Sequence, residues 1–380
     1  MRRALTLLAL LVICASPASA QGMRVAVSPD SIVADDDFHW SALIQVTNAT
    51  ERGLYVDSIL VTVTDRDSGT TGAPRETRRR ISLMNESISA GDVSSQTFGG
   101  PATCERGELR VQAWAHDGEK HPFTAQAAVT LLPNDYARAH PSRYLTSGGH
   151  RVEYVVCAPE SAAKSAAPGL LLIHGRGAHA RTMLPFMRML ARRGFAVLAL
   201  SQPGYGLSDG PADFGGPATL QAVSDAIDAL KREPGVNAGR VAVWGISRGA
   251  SPAVGIAERR KDLKAAIAQS GSYDLWATYR ETRAEEVRAE ILAQAGGDSA
   301  AWKARSPLLA ADKVACPLLV LHGERDERAP AAPAHALEAR LRQLGRPVEG
   351  RFFPQGGHYL SPALVNPAAF SFLEKTFGTP

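Results

Sequence analysis

A serine, a histidine and a short run of carboxylates are the side chains of this sequence that could do chemistry together. Ser247 stands in Gly245-Ile246-Ser247-Arg248-Gly249. A serine hydroxyl is a weak nucleophile until a base removes its proton. Glycines two positions to either side let the chain reverse sharply, which presents the hydroxyl at a strained turn. If a helix starts there, its free N–H groups favour developing negative charge. Downstream, Gly356-Gly357-His358 offers an imidazole on a loop that two glycines allow to bend. Between them, His322-Gly323-Glu324-Arg325-Asp326-Glu327 supplies carboxylates, followed by Pro330. The chemistry such groups make possible is acyl transfer through a serine.

These groups are useful only if secondary structure converges on them. Residues 241–244 read as a short buried strand and the small residues from Ala250 as a helix. Residues 318–321 form a second apolar strand ahead of the carboxylates, and residues 349–353 a third ahead of His358. Further strands are expected at 151–157 (in an antiparallel hairpin), 169–174, 195–200 and 265–268. Helices are expected at 181–193, 219–231, 332–344 and 366–377, the second with Leu220, Val223, Ala226, Ile227 and Leu230 on one face. Apolar strands alternating with amphipathic helices call for a mostly parallel sheet with helices on both faces. Residues 21–133 read differently. Short runs at 38–47, 54–65, 81–83, 93–98, 108–115 and 124–132, separated by turns such as Asp67-Ser68-Gly69 and Asp117-Gly118, suggest a small antiparallel sandwich, immunoglobulin-like in outline. A linker at 134–143 joins it to a catalytic domain at 144–380. The basic run Arg78-Arg79-Arg80 is expected at a solvated strand end or turn.

With its strand and helix in place, the serine motif resembles the nucleophile turn of the α/β-hydrolase superfamily. In that superfamily the partners follow in the order nucleophile, acid, base. The resemblance implies Asp326 as the acid, with Glu324 and Glu327 as alternatives, and His358 as the base. His358 would accept the Ser247 proton and return it to the leaving group, while Asp326 fixes the tautomer. It also implies oxyanion donors at the backbone N–H groups of Arg248 and of Arg176 in His174-Gly175-Arg176-Gly177; by sequence alone the second could be Gly177. His174 and His322 are expected to support loops. Gln202-Pro203-Gly204-Tyr205-Gly206-Leu207-Ser208 resembles a loop that walls the site. Residues 271–303, with Tyr273-Asp274-Leu275, form a helical insertion before Ser306-Pro307-Leu308. In outline this is similar to catalytic domains of the prolyl-oligopeptidase type, and the acid loop to the dienelactone-hydrolase type. The β-propeller of those peptidases is not expected, because the segment upstream is too short. Such machinery implies no metal and no cofactor.

Composition narrows the remaining choices. At 45% hydrophobic and 21% charged, the 380 residues suit a folded two-domain protein. Formal net charge is +4, and +2 once Arg2 and Arg3 are subtracted, which gives no footprint for nucleic acid. Arg2 and Arg3 precede an apolar run at 4–13 and then Ala18-Ser19-Ala20, the layout of a signal peptide cleaved after Ala20. Bulky Ile13 before Cys14 argues against a lipoprotein. After cleavage no segment is long and apolar enough for a membrane span, so the expected location is periplasmic or secreted. Cys104, Cys157 and Cys316 are an odd set, allowing at most one internal disulfide. The Asn48 and Asn85 sequons carry little weight. The expected activity is cleavage of an ester with a small or medium acyl group through an acyl-enzyme. A serine peptidase is the alternative, then a non-catalytic cell-envelope binding protein, with an acyl-thioesterase as a weaker variant of the first. Oligomeric state is not legible.

Overall fold

Strands whose side chains are apolar on both faces must be covered on both faces, and the strand at Ala167–Ile173 is buried at every position. It lies inside an eight-stranded sheet. The computed structural model describes residues 22–29, 31–35, 38–65, 75–81, 87–101, 107–163 and 165–378. The expected leader with Cys14, the turn Asp67-Ser68-Gly69, the sequon Asn85 and Cys104 lie outside those residues.

Among the described residues nine strands precede residue 133: β1 (Met23–Ser28), β2 (Ser31–Val33), β3 (His39–Asn48), β4 (Leu54–Asp65), β5 (Arg75–Ile81), β6 (Ser87–Ile88), β7 (Val93–Pro101), β8 (Gly107–Asp117) and β9 (Pro122–Leu132). They form two sheets, ordered β1-β3-β7 and β2-β9-β8-β4-β5, with β6 on β4. Alternation along β3 and β8 turns one face of each sheet inward. Trp40, Ile44 and Val46 of the first meet Ile59, Leu109 and Val111 of the second in one core. The arginine run lies in the second half of β5, one residue short of the strand's end. Asn48 is fully buried, and its amide donates to the carbonyls of Arg52 and Ile88, both at 2.8 Å, so the first sequon is consumed by the fold.

The segment expected as a plain linker holds a short helix, α1 (Asp135–Ala139). Asn134 caps it, accepting from Ala137 N at 2.8 Å and donating to Asp35 O of the sandwich at 2.6 Å. Buried Arg181 closes the other end, donating to the carbonyls of Ala137 and His140 at 3.1 and 3.0 Å. A guanidinium on the last carbonyls of a helix offsets the negative end of its dipole. Phe38 projects from the sandwich into the core of the second unit, edge-on to Tyr136 with ring centroids 6.0 Å apart.

The second unit contains β10 (Arg143–Ser147), β11 (His150–Cys157), β12 (Ala167–Ile173), α2 (Leu184–Ala191), β13 (Ala196–Leu200), α3 (Pro217–Arg232), β14 (Val236–Ile246), α4 (Ala250–Ala257) and β15 (Ala265–Gln269). The insertion helices α5 (Leu275–Glu281), α6 (Glu285–Ala295) and α7 (Ser299–Lys303) follow, then β16 (Leu318–Gly323), α8 (Ala332–Gln343), β17 (Val348–Phe353) and α9 (Pro362–Phe377). Sheet order is β10-β11-β13-β12-β14-β15-β16-β17, parallel from β13 onward and antiparallel at β10 and β11. Helices α3, α4 and α8 cover one face through Ile227, Val254 and Leu337. Helices α2 and α9 cover the other through Met187 and Phe370. Each fully buried aliphatic side chain contributes ~1.5–3 kcal/mol, so two covered faces hold the strand ends in fixed register. This is the α/β-hydrolase fold, preceded by an all-β region. Cys157 and Cys316 are buried free thiols, pushed up to about 11 and about 12 by burial, which makes both poor nucleophiles.

Candidate active site

The ends of β14, β16 and β17 deliver the three sequence candidates to one rim of the sheet. At the end of β14 the backbone turns straight into the helical stretch that continues as α4, and Ser247 takes φ 54°. A non-glycine residue in that region is strained and persists only where packing demands it. The demand is visible in the flanking glycines. A side chain at Gly245 would overlap the Gly249 carbonyl and lie 2.8 Å from Ala253 Cβ. One at Gly249 would overlap the Ile173 carbonyl and lie 2.8 Å from that of His174. Gly175 is less confined but still tight, with a Cβ there 3.2 Å from Ser247 Cβ.

Ser247 Oγ lies 2.8 Å from His358 Nε2. His358 Nδ1 lies 2.8 Å from Asp326 Oδ2 and 3.0 Å from Oδ1. The Asp326 carboxylate is wholly buried, and its Oδ1 accepts from the N–H groups of Arg328 and Ala329, each at 2.9 Å. The other carboxylates weighed in the sequence point elsewhere. Glu324 meets His335 at 2.9 Å, and Glu327 meets Arg283 at 3.1 Å. An alcohol, an imidazole and a buried carboxylate in series can transfer a proton from oxygen to a leaving group without solvent.

The two other histidines hold loops. His174 is fully buried, and burial pushes its imidazole down to about 3, so it stays neutral. It donates from Nδ1 to Gly175 O at 2.7 Å and accepts at Nε2 from Gln202 N at 2.9 Å, tying the loops after β12 and β13 together. Burial also lowers His322, which donates from Nε2 to Ala329 O at 2.8 Å beneath Asp326. The loop after β13 has a further anchor in Glu153. This buried carboxylate accepts from Ser142 Oγ at 2.5 Å, Ser201 Oγ at 2.6 Å and Leu207 N at 2.9 Å.

A profile of the prolyl oligopeptidase family matches residues 186–377. The chain belongs to the prolyl oligopeptidase family. It is 28% identical over 239 residues to the uncharacterized peptidase YtmA of Bacillus subtilis, covering 60% of this chain and 90% of that protein. It is 30% identical over 212 residues to the uncharacterized peptidase YuxL of the same organism, covering 51% of this chain but only 31% of that one. Among solved structures it is similar to a puromycin-hydrolyzing peptidase of Mycobacterium tuberculosis, with TM-score 0.56 and 17% identity over 90% of this chain and 68% of that one. At that identity the likeness shows the fold.

This member of the prolyl oligopeptidase family carries a feature that the sequence left unread. Arg176 and Arg248, whose N–H groups were expected to face an oxyanion, both line a cavity of about 40 Å³ beside Ser247 and His358. Their side chains converge on one carboxylate of the insertion. Arg176 Nε is 2.6 Å from Glu290 Oε1, and Arg248 ion-pairs with Glu290 Oε2. Arg248 also bonds Gln294 Oε1 at 2.7 Å and the Tyr205 hydroxyl, and its guanidinium lies 4.4 Å from the Phe214 ring centroid. One turn earlier on α6, Glu286 takes Arg328 from the acid loop at 2.7 Å. Three loops around the nucleophile therefore each send an arginine to one helix. A sequence signal existed, since Glu286 and Glu290 sit at i, i+4 on one helix face, but nothing in it named their partners. Glu290→Gln is expected to lower kcat/KM about tenfold, equivalent to ~1.4 kcal/mol of lost positioning, with little change in unfolding temperature. Kinetics equal to wild type would show the clamp to be idle.

A cleft of about 1050 Å³ lies away from Ser247, lined by Tyr136, His140, Arg188, Arg193 and Phe370. It holds no nucleophile–base pair, and chemistry rather than size decides the site. Among the described residues one trio, Asp117, Glu119 and His121, brings metal-ligand atoms within 4.8 Å. It is a turn satisfied within itself. Asp117 Oδ1 accepts from the N–H groups of Glu119 and His121 at 2.9 and 3.0 Å, and Arg52 occupies Glu119 at 2.6 Å. Among the described residues no helix is long and apolar enough to cross a membrane.

Proposed function

We propose that this chain is an exported serine hydrolase that cleaves an ester bond by forming an acyl-enzyme on Ser247. The supporting observation is the unbroken hydrogen-bonded series from Ser247 Oγ through His358 to buried Asp326. His358 takes the serine proton as the hydroxyl attacks the acyl carbon, and Asp326 stabilises the imidazolium. The tetrahedral oxyanion is held by the N–H groups of Arg248 and Arg176. His358 then protonates the leaving alkoxide, and water repeats the cycle to release the acid. The upstream sandwich is read as an immunoglobulin-like accessory domain, and residues 1–20 are read as a signal peptide that would send the mature protein to the periplasm or medium.

A second reading makes peptides the substrate. Its support is family membership and the peptidase names of the relatives. Ester cleavage is entailed by both readings, because a triad able to expel an amine also expels a better leaving group. Matched p-nitrophenyl ester and p-nitroanilide substrates carrying the same acyl group separate them. An esterase turns over the ester and leaves the anilide essentially intact. A peptidase turns over both, and no turnover of either sinks both readings. In that last case the non-catalytic envelope-binding role would stand.

A further inference from the structure

Resting on that hydrolase reading, we infer that Ser270 is a specificity-determining residue that hydrogen-bonds a polar atom on a short acyl group. Ser270 follows β15 and lines the same cavity as Ser247 and His358. It is 1% exposed, and its Oγ has no hydrogen-bond partner in the fold. A buried hydroxyl without a partner costs ~1–3 kcal/mol of desolvation, so it calls for an explanation.

The neighbouring hydroxyls are accounted for. Ser251 Oγ donates to Ser272 O, Ser272 Oγ bonds Thr278 Oγ1 at 2.5 Å, and Thr278 Oγ1 donates to Asp274 O at 2.9 Å. Ser270 is the cavity-lining hydroxyl left over from this chain. Its backbone is the second observation. Ser270 holds φ 52°, a region that disfavours side chains, in a segment fixed by its own N–H to Leu321 O at 2.8 Å. Next to it, a side chain at Gly271 would lie 2.5 Å from Ala250 Cβ and 2.9 Å from the Tyr273 ring, so the strand end cannot relax. A glycine at 270 would adopt this conformation at no steric cost. A serine there instead keeps an unmet hydroxyl in the wall of the nucleophile's cavity, at a backbone position whose strain is the kind found at functional sites.

The cavity's chemistry sets the ligand class. At about 40 Å³ between Phe214, Val287 and the hydroxyls, it admits an acyl chain of a few heavy atoms. The free O–H group selects a chain with an acceptor near the carbonyl over its all-carbon counterpart. A site that hydrogen-bonds such an atom discriminates against an analogue lacking it, because its own polar group is then left unpaired.

The test uses the full mature chain with p-nitrophenyl methoxyacetate and p-nitrophenyl butyrate, which differ by an ether oxygen in place of a methylene. The ratio of their kcat/KM values is measured for wild type, Ser270→Ala and Ser270→Gly. Dividing ratios between proteins cancels the intrinsic reactivities of the esters. Loss of one hydrogen bond predicts a fall in the ratio of about tenfold in both variants. The glycine variant guards against misfolding, since it relieves the strained φ. An unchanged ratio overturns the inference, and so does an equal collapse on both esters in both variants, which would make Ser270 a packing residue. A wild-type protein that cleaves neither ester overturns the hydrolase reading along with it. Turnover indifferent to Ser270 overturns the inference alone.

Discussion

Ser247→Ala is expected to lower kcat for a chromogenic short-chain ester by on the order of 10⁴- to 10⁶-fold. The attacking atom is gone while the rest of the site stays in place, so KM should change little. What residual turnover survives would come from the oxyanion donors and substrate binding acting on water. The substitution should also leave the turn in place. The strained φ at 247 is imposed by the contacts of Gly245 and Gly249, which alanine leaves untouched. Steady-state kinetics alongside circular dichroism distinguish the two effects. An alanine variant with wild-type turnover would remove Ser247 from the mechanism.

The second large effect is at Asp326. Asp326→Asn is expected to reduce kcat by about 10⁴-fold while the protein stays folded. An asparagine oxygen can still accept the N–H groups of Arg328 and Ala329 that Asp326 Oδ1 accepts now. Its amide N–H₂ would then face His358 Nδ1, where the carboxylate oxygen stands 2.8 Å away. A donor facing Nδ1 forces the ring proton onto Nε2, the atom that must accept from Ser247 Oγ. The base is therefore present in the wrong tautomer. Glu324→Gln and Glu327→Gln should leave kcat within about twofold, because their partners are His335 and Arg283 rather than His358. Comparable losses in all three variants would mean that the acid has been misassigned.

How much of this was legible in the sequence depends on whether the deciding interactions are local. The strand before Ser247 and the glycines around it are adjacent in the chain, so the nucleophile turn could be read directly. The later strands could be read as well, because two-sided burial leaves an uninterrupted apolar run such as residues 318–321. Local patterning did less well where few residues carry it. The capped helix α1 is too short for a periodicity, and its stability comes from Arg181, over forty positions downstream in the chain. Strands β1 and β2 went unread for the same reason, being short runs specified by pairing with β3 and β9. The clamp on Glu290 was invisible because its arginines lie on loops far apart in the chain, and many surface arginines meet carboxylates to no effect. Ser270 was invisible for the opposite reason: its significance is the absence of a partner, which only a complete packing environment reveals.

On the proposed mechanism, one hydroxyl in this chain is made reactive by its neighbours. The most direct measurement is intact-protein mass spectrometry after brief exposure to a fluorophosphonate, followed by peptide mapping of the adduct. One adduct per chain on Ser247, formed at least ~100-fold more slowly in His358→Ala, is the result predicted from proton transfer to the imidazole. An unlabelled protein, an adduct on another serine, or labelling of Ser247 that is indifferent to His358 would contradict it.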